Sequence, residues 1–282
     1  MNFTREILIK AIKKIDSEPV LRNNRSSSTY DLVFNNLKYP PILVLSVANQ
    51  LNGGKELLLS DFNNKVEIPF KILNLTECSS TNDEAKKWIK ELKHPEGLVV
   101  YTLKQSEGKG MGNNKWVSEN NKNLTCSVVL SPNLPLKNAF ILNCIIALVV
   151  VEILENFGIQ NIKIKWPNDI LVNDKKIAGI LIENINFKNN IKHTIVGIGL
   201  NINQIKFNNT LLHRKATSIL LETKVENSIK EILHQLLDNL AKTYSKSKIN
   251  PIEIFQKYIQ QLYLMDTESW FKVNEEKIQL TI

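Results

Sequence analysis

At 282 residues with 43% hydrophobic content, the chain is long enough for one large domain with a small one beside it. Charged residues at 23% and aromatics at 7% are ordinary for a globular protein and exclude a disordered or fibrous chain. A net charge of +8 favours anionic partners in general. The lysines sit among asparagines, as in 120–123 and 187–192, which reads as exposed loops and not as a stripe built for nucleic acid.

In chain order, residues 4–15 read as a basic amphipathic helix, followed by a polar loop at 23–29, an apolar run at 41–47 and a turn at Gly53-Gly54. No helix-turn-helix pattern can be placed in 1–67, so no DNA-binding role is expected there. From residue 70 strands and helices alternate, the mark of an α/β domain. A strand is predicted at 71–75 and a helix from Ser79-Ser80-Thr81 to residue 92, with Thr81 and Glu84 at capping-box spacing. A strand at 98–103, a glycine-rich loop at 108–112 and a strand at 124–130 follow. The longest apolar stretch, 139–151, contains Asn143 and is too short to cross a bilayer, so 136–156 reads as a buried helix. Strands are predicted at 163–166, 170–172, 176–183 and 194–201, with a hairpin turn at Asn173-Asp174-Lys175. Amphipathic helices are predicted at 229–244 and 252–262, and 270–282 reads as two short strands around Asn274-Glu275-Glu276.

Cys78, Cys126 and Cys144 have no CxxC spacing and are too few for a disulfide framework, which points to a reducing, cytoplasmic setting. The basic helix at 4–15 leaves organelle targeting as the alternative.

Four segments carry chemistry. Gly108-Lys109-Gly110-Met111-Gly112 joins two strands, and its glycines allow the backbone to wrap a ligand and turn N–H groups toward an anion. Its spacing is neither that of a Walker A loop nor that of a dinucleotide fingerprint. Lys165-Trp166-Pro167-Asn168-Asp169 is a strand end that clusters ammonium, amide and carboxylate, a set that shapes a turn or holds phosphates and magnesium. Lys176-Ile177-Ala178-Gly179-Ile180-Leu181-Ile182-Glu183 places a small pair beside a lysine. Gly197-Ile198-Gly199-Leu200-Asn201-Ile202-Asn203 is an apolar strand ending in asparagines.

Together with Ser80-Thr81-Asn82 and Lys215-Ala216-Thr217-Ser218-Ile219, these segments resemble, in order and spacing, the motif set of biotin protein ligases over about residues 70–265. The resemblance implies an α/β (α+β) fold with a class II synthetase-like central mixed sheet flanked by helices. It divides the chain into an extension at 1–67, a catalytic domain at 68–264 and a partial SH3-like β segment at 265–282. It implies a ligase that makes biotinyl-5'-AMP from biotin and ATP with Mg2+ and passes biotin to a lysine of a biotin carboxyl carrier domain of acetyl-CoA carboxylase or a related carboxylase. The protein would be a monomer or homodimer, with no membrane partner.

Carried onto this sequence, Ser80, Thr81, Asn82, Gln105, Gly108, Lys109, Gly110, Met111, Lys176 and Gly179 would bind biotin. Lys109, Met111, Trp116, Lys165, Asn168, Asp169, Lys176 and Asn201 would serve ATP, Asp169 would hold magnesium, and Lys176 and Lys109 would be catalytic. The family's loop usually reads GRGRxG, whereas here Lys109 keeps only the charge of the first arginine and Met111 keeps nothing of the second. Lipoate or octanoate transfer on the same superfamily fold, and a catalytically impaired biotin-binding module, are the alternatives.

Overall fold

The computed structural model describes residues 5–17, 32–34, 37–39, 68–112, 114–207, 215–265, 267–273 and 276–281. The chain forms two compact units, Met1–Lys65 and Val66–Ile282. In the first, helix α1 (Arg5–Ser17) meets the expectation for 4–15, and β1 (Leu32–Phe34) pairs antiparallel with β2 (Leu37–Tyr39). The loop read at 23–29, the run at 41–47, the Gly53-Gly54 turn and Asn274-Glu275 lie outside the described residues.

The second unit is built on an eight-stranded mixed sheet. Its strands are β3 (Lys71–Leu75), β4 (Leu98–Thr102), β5 (Asn123–Leu130), β6 (Leu134–Pro135), β7 (Ile162–Lys165), β8 (Asp169–Val172), β9 (Lys175–Phe187) and β10 (Asn190–Asn201). The spatial order is β3-β4-β5-β10-β9-β8-β7, with β6 paired to β10. Only β3 and β4 run parallel, because helix α2 (Thr81–Glu91) provides the crossover between them; every other neighbour pair is antiparallel. Helices α3 (Phe140–Asn156), α4 (Ile219–Thr223), α5 (Ile229–Ile249) and α6 (Pro251–Gln260) complete the body, and β11 (Glu268–Val273) pairs with β12 (Glu276–Thr281) as a separate hairpin.

The sheet's two faces differ because residues alternate along its central strands. Leu124, Cys126, Val128 and Leu130 of β5, Ala178 and Ile180 of β9, and Val196, Ile198 and Leu200 of β10 are buried in one apolar core with α3 and α5. The intervening positions, Thr125, Ser127, Gly179, Gly197 and Gly199, are polar or small and leave the opposite face hollow. The segment Leu136–Asn156, in which a short 3-10 turn precedes α3, is long and apolar enough to cross a membrane, yet ten residues of α3 are buried and it packs on α5 and α6.

Three sequence expectations are corrected. Ser80, not Thr81, is the N-cap of α2, and neither residue makes a side-chain cap: the Thr81 N–H donates to Gln105 Oε1 at 2.9 Å and Glu84 pairs with Lys87. The polar stretch 187–192 is the tip of the β9–β10 hairpin, where Lys188 takes φ 54°, and not a loop. The predicted helix 136–156 begins as a separate 3-10 turn, Leu136–Asn138, before α3. The Asn173-Asp174 turn does form, both residues having positive φ as a tight hairpin requires.

Candidate active site

A cavity of about 720 Å3 occupies the hollow face of the sheet, within the range of small-molecule sites. Ser80, Thr81 and Asn82 open α2 at its floor, each at most 4% exposed, and the amino end of a helix favours negative or acceptor groups. Gln105 comes from the segment after β4. Its Oε1 is taken by the Thr81 N–H, which leaves its amide nitrogen as the donor end.

The glycine loop is a small hairpin over the mouth. Lys109 and Lys115 form a bridge pair, the Gly110 N–H donates to Asn114 O at 2.8 Å, and the Trp116 N–H donates to Gly108 O at 2.9 Å. At its root the Ser106 and Glu107 N–H groups donate to Cys78 and Ser79 carbonyls, tying the loop to the entry of α2. Lys109 reaches Asp83 of α2, with Nζ 2.6 Å from Oδ2. Burial alone would raise the Asp83 pKa, but Lys109 and Lys86 outweigh it and hold the carboxyl below its ordinary range.

Lys176 reaches the cavity through a backbone irregularity. Ile170 pairs with Ala178 but Leu171 pairs with Lys176, so Ile177 is an extra residue in β9. That bulge re-aims the chain and puts Lys176 on the face shared by Gly179 and Leu181, while Ile177 and Ala178 go into the core. Lys176 Nζ sits 2.7 Å from Asp169 Oδ1 and 5.6 Å from the centroid of the Trp116 ring. The Lys176 backbone is held on both sides, its N–H on Lys215 O and its carbonyl under the Thr217 N–H.

Trp116 lies flat on a floor of backbone. A Cβ added at Gly199 would fall 2.2 Å from Trp116 Cε2, and one at Gly179, its cross-strand partner, 3.1 Å from Cζ3. Only hydrogen at Gly199 permits that approach. Gly197 performs the same service for Asn82, whose Oδ1 stands 2.3 Å from where its Cβ would be.

Of the residues singled out from sequence, Ser80, Thr81, Asn82, Gln105, Lys109, Gly110, Met111, Trp116, Lys165, Asn168, Asp169, Lys176 and Gly179 line this one cavity. Gly108 and Asn201 do not. Gly108 is buried beneath the loop, and Asn201 is 3% exposed with its amide donating to Thr217 O at 2.9 Å. Asn168 lines the cavity but spends its amide on Ile180 O at 3.0 Å, so it joins the β7–β8 turn to β9. Sequence reasoning assigned no role to Lys115 and Thr125 at the cavity, or to Asp83, Lys86, Ser127 and Glu183 behind it. The signal for Thr125 and Ser127 was the alternation of β5, whose off-core positions are hydroxyls.

Cys126 borders the cavity, but burial pushes its thiol up to about 12, so it stays protonated and is no nucleophile. What the cavity offers is cations on separate elements, Lys109 and Lys115 on the loop, Lys165 on β7 and Lys176 on β9, above a floor of hydroxyl and amide groups. Such a set suits an anionic reaction centre joined to a polar head group.

Residues 75–201, from the end of β3 to the end of β10, match the biotin/lipoate A/B protein ligase family. The chain is 41% identical over 111 residues to the bifunctional ligase/repressor BirA of Bacillus subtilis, covering 39% of this chain and 34% of that protein. It is 32% identical over 133 residues to the biotin--[acetyl-CoA-carboxylase] ligase of Paracoccus denitrificans, covering 45% of this chain and 53% of that protein. The chain therefore spans about a third to a half of the length of these relatives. Among solved structures, the biotin protein ligase from Aquifex aeolicus in complex with biotin and ATP superimposes with a TM-score of 0.63 at 27% identity, over 75% of this chain and 86% of that one.

Proposed function

We propose that this protein is an ATP-dependent biotin protein ligase, which joins biotin to AMP and then transfers the biotinyl group to a lysine of a carboxylase carrier domain. The observation that carries this reading is the convergence of Lys109, Lys165 and Lys176, from three separate elements, on one cavity whose floor presents Thr81 and Gln105. A urea ring offers N–H donors and a carbonyl acceptor, and Thr81 Oγ1 and Gln105 Nε2 are the complementary pair. The dithiolane of lipoate has neither group and would leave both polar atoms unanswered, so biotin is favoured over lipoate.

In the first step a biotin carboxylate oxygen forms a bond to the α-phosphorus of ATP while the bond to the β-phosphate oxygen breaks and pyrophosphate leaves. Two anions must meet, and Lys176 stands at the meeting point. A unit charge at about 4 Å contributes on the order of 4 kcal/mol at an effective dielectric near 20, which offsets much of the repulsion. In the second step an unprotonated acceptor lysine forms an amide with the biotinyl carbonyl and AMP departs. No covalent enzyme intermediate is needed.

Magnesium enters as part of the nucleotide substrate. Among the described residues Asp169 is the one carboxylate in the cavity lining, and no group of three metal-ligating side chains forms. That donor set suits an ion already carried by phosphates, with Asp169 adding one oxygen.

Incubating the protein with biotin, MgATP and a biotin carboxyl carrier domain is expected to add the mass of one biotin to the carrier. No gain in mass, with biotin-dependent ATP–pyrophosphate exchange also absent, overturns the reading. The loop carries a further expectation. Met111 is 50% exposed at the mouth and brings no charge to the adenylate, so intermediate should escape more readily than from an arginine-bearing loop. Met111→Arg should lower the released biotinyl-adenylate by about threefold or more, a factor worth under 1 kcal/mol; equal leakage from both proteins rejects the idea.

A further inference from the structure

Behind the cavity floor runs a hydrogen-bond chain whose direction is set from its far end. Glu183 of β9 accepts Lys86 Nζ at 2.7 Å on Oε1 and Asn82 Nδ2 at 2.7 Å on Oε2. As the anionic partner of an ammonium it offers only lone pairs, so Asn82 must turn its NH2 toward it. The Leu181 carbonyl, 3.5 Å from the same nitrogen, selects the same orientation. Asn82 Oδ1 then faces Ser127 Oγ at 2.5 Å and must receive the single proton of that hydroxyl.

Ser127 Oγ also lies 2.8 Å from Thr81 Oγ1. With its proton committed to Asn82, Ser127 can only accept there, so Thr81 gives its own proton to Ser127. On the cavity side Thr81 is left with lone pairs alone. All three residues are buried, at 4% exposure or less, and water does not rescue a wrong polarity.

We propose that Glu183 is a positioning residue that, through Asn82 and Ser127, makes Thr81 an obligate acceptor, so that the cavity selects a ring N–H and rejects a ring oxygen of the same size. The proposal rests on the biotin reading and deepens it, because it assigns the recognition of the urea to a carboxylate that need not touch the ligand. Lys86 holds the far end: burial works against its charge, but Glu183 and Asp83 outweigh burial and keep it protonated.

The test compares biotin with its two cyclic carbamate analogues, in each of which one ring N–H is replaced by oxygen, by titration calorimetry. The wild type is expected to prefer biotin by about 100-fold over the isomer whose oxygen faces Thr81, since two lone pairs then oppose each other. In Glu183→Gln the glutamine can donate to Asn82, the amide is free to rotate, and the chain can run either way, so the preference should fall at least tenfold. Ser127→Ala, which keeps the Glu183–Lys86 pair, should lose the preference as well. The double variant should lose no more than Ser127→Ala alone, as expected for residues acting in series.

A Glu183→Gln protein that binds both ligands more weakly by the same factor, with the ratio kept within about threefold, overturns the proposal and leaves Glu183 a merely structural role. Should the glutamine protein not fold, the ratio in Ser127→Ala decides in the same way. Wild-type protein that binds neither ligand would instead overturn the biotin reading.

Discussion

Lys176→Ala is expected to reduce biotin-dependent ATP–pyrophosphate exchange by about 10^2- to 10^3-fold, the loss typical of removing one preset donor at a developing negative charge. The effect should fall on kcat, because the ammonium acts where the carboxylate and the α-phosphate meet and not on the head group held by the floor. Biotin affinity should change by less than about tenfold. Stability should change little: the Lys176–Asp169 pair retains 28% and 19% side-chain exposure, and solvent screens such a pair. The bulge at Ile177 makes the position intolerant of substitutes, since shifting the lysine by one residue would send it toward the core face. Exchange retained to within about fivefold in Lys176→Ala would remove this lysine from the chemistry and with it the mechanism given above.

Gly199→Ala is expected to be comparably damaging although it carries no reactive group. The added methyl would sit 2.2 to 2.7 Å from three atoms of the Trp116 indole. The ring is fixed by the loop hairpin, so either the ring leaves the floor or the two arms of the loop separate. We expect biotin and ATP binding to weaken by about 100-fold, a change that corresponds to roughly 3 kcal/mol. A fall of several degrees in Tm should accompany it, since overpacking costs about 1–3 kcal/mol. In a Trp116→Ala background the same alanine should cost little, because the clash has been removed. Undiminished ligand affinity in Gly199→Ala would mean that the indole seat is not required.

The fold was readable from the chain where a local pattern was strong, as in the short alternating run of β3, the long apolar run of α3 and the amphipathic spacing of α5. It was less readable where tertiary partners overrode a local signal. The Thr81–Glu84 spacing suggests a cap, but the partner of the Thr81 N–H is Gln105, twenty-four positions away, and its hydroxyl is claimed by Ser127. The stretch 187–192 looks like a loop because its outward residues are lysine and asparagine. Ile191 is nonetheless buried and Ile185 partly so, and they carry the strands to the tip. Lys109, Lys165 and Lys176 were legible because they sit in short specific motifs. Asn201, in the same kind of motif, holds the Thr217 backbone instead. The Ile177 bulge left no trace in the pattern, so the reason Lys176 and Gly179 share a face came only from the register.

The chain has four tryptophans, and two of them, Trp116 and Trp166, line the cavity, with the Lys176 charge near the ring of Trp116. A ligand that draws that ammonium away would change the electric field across the Trp116 indole and would also meet Trp166, which lines the same cavity, whereas Trp88 packs on a separate apolar cluster outside the lining. Occupancy of the site should therefore register in the emission of the two tryptophans of its lining.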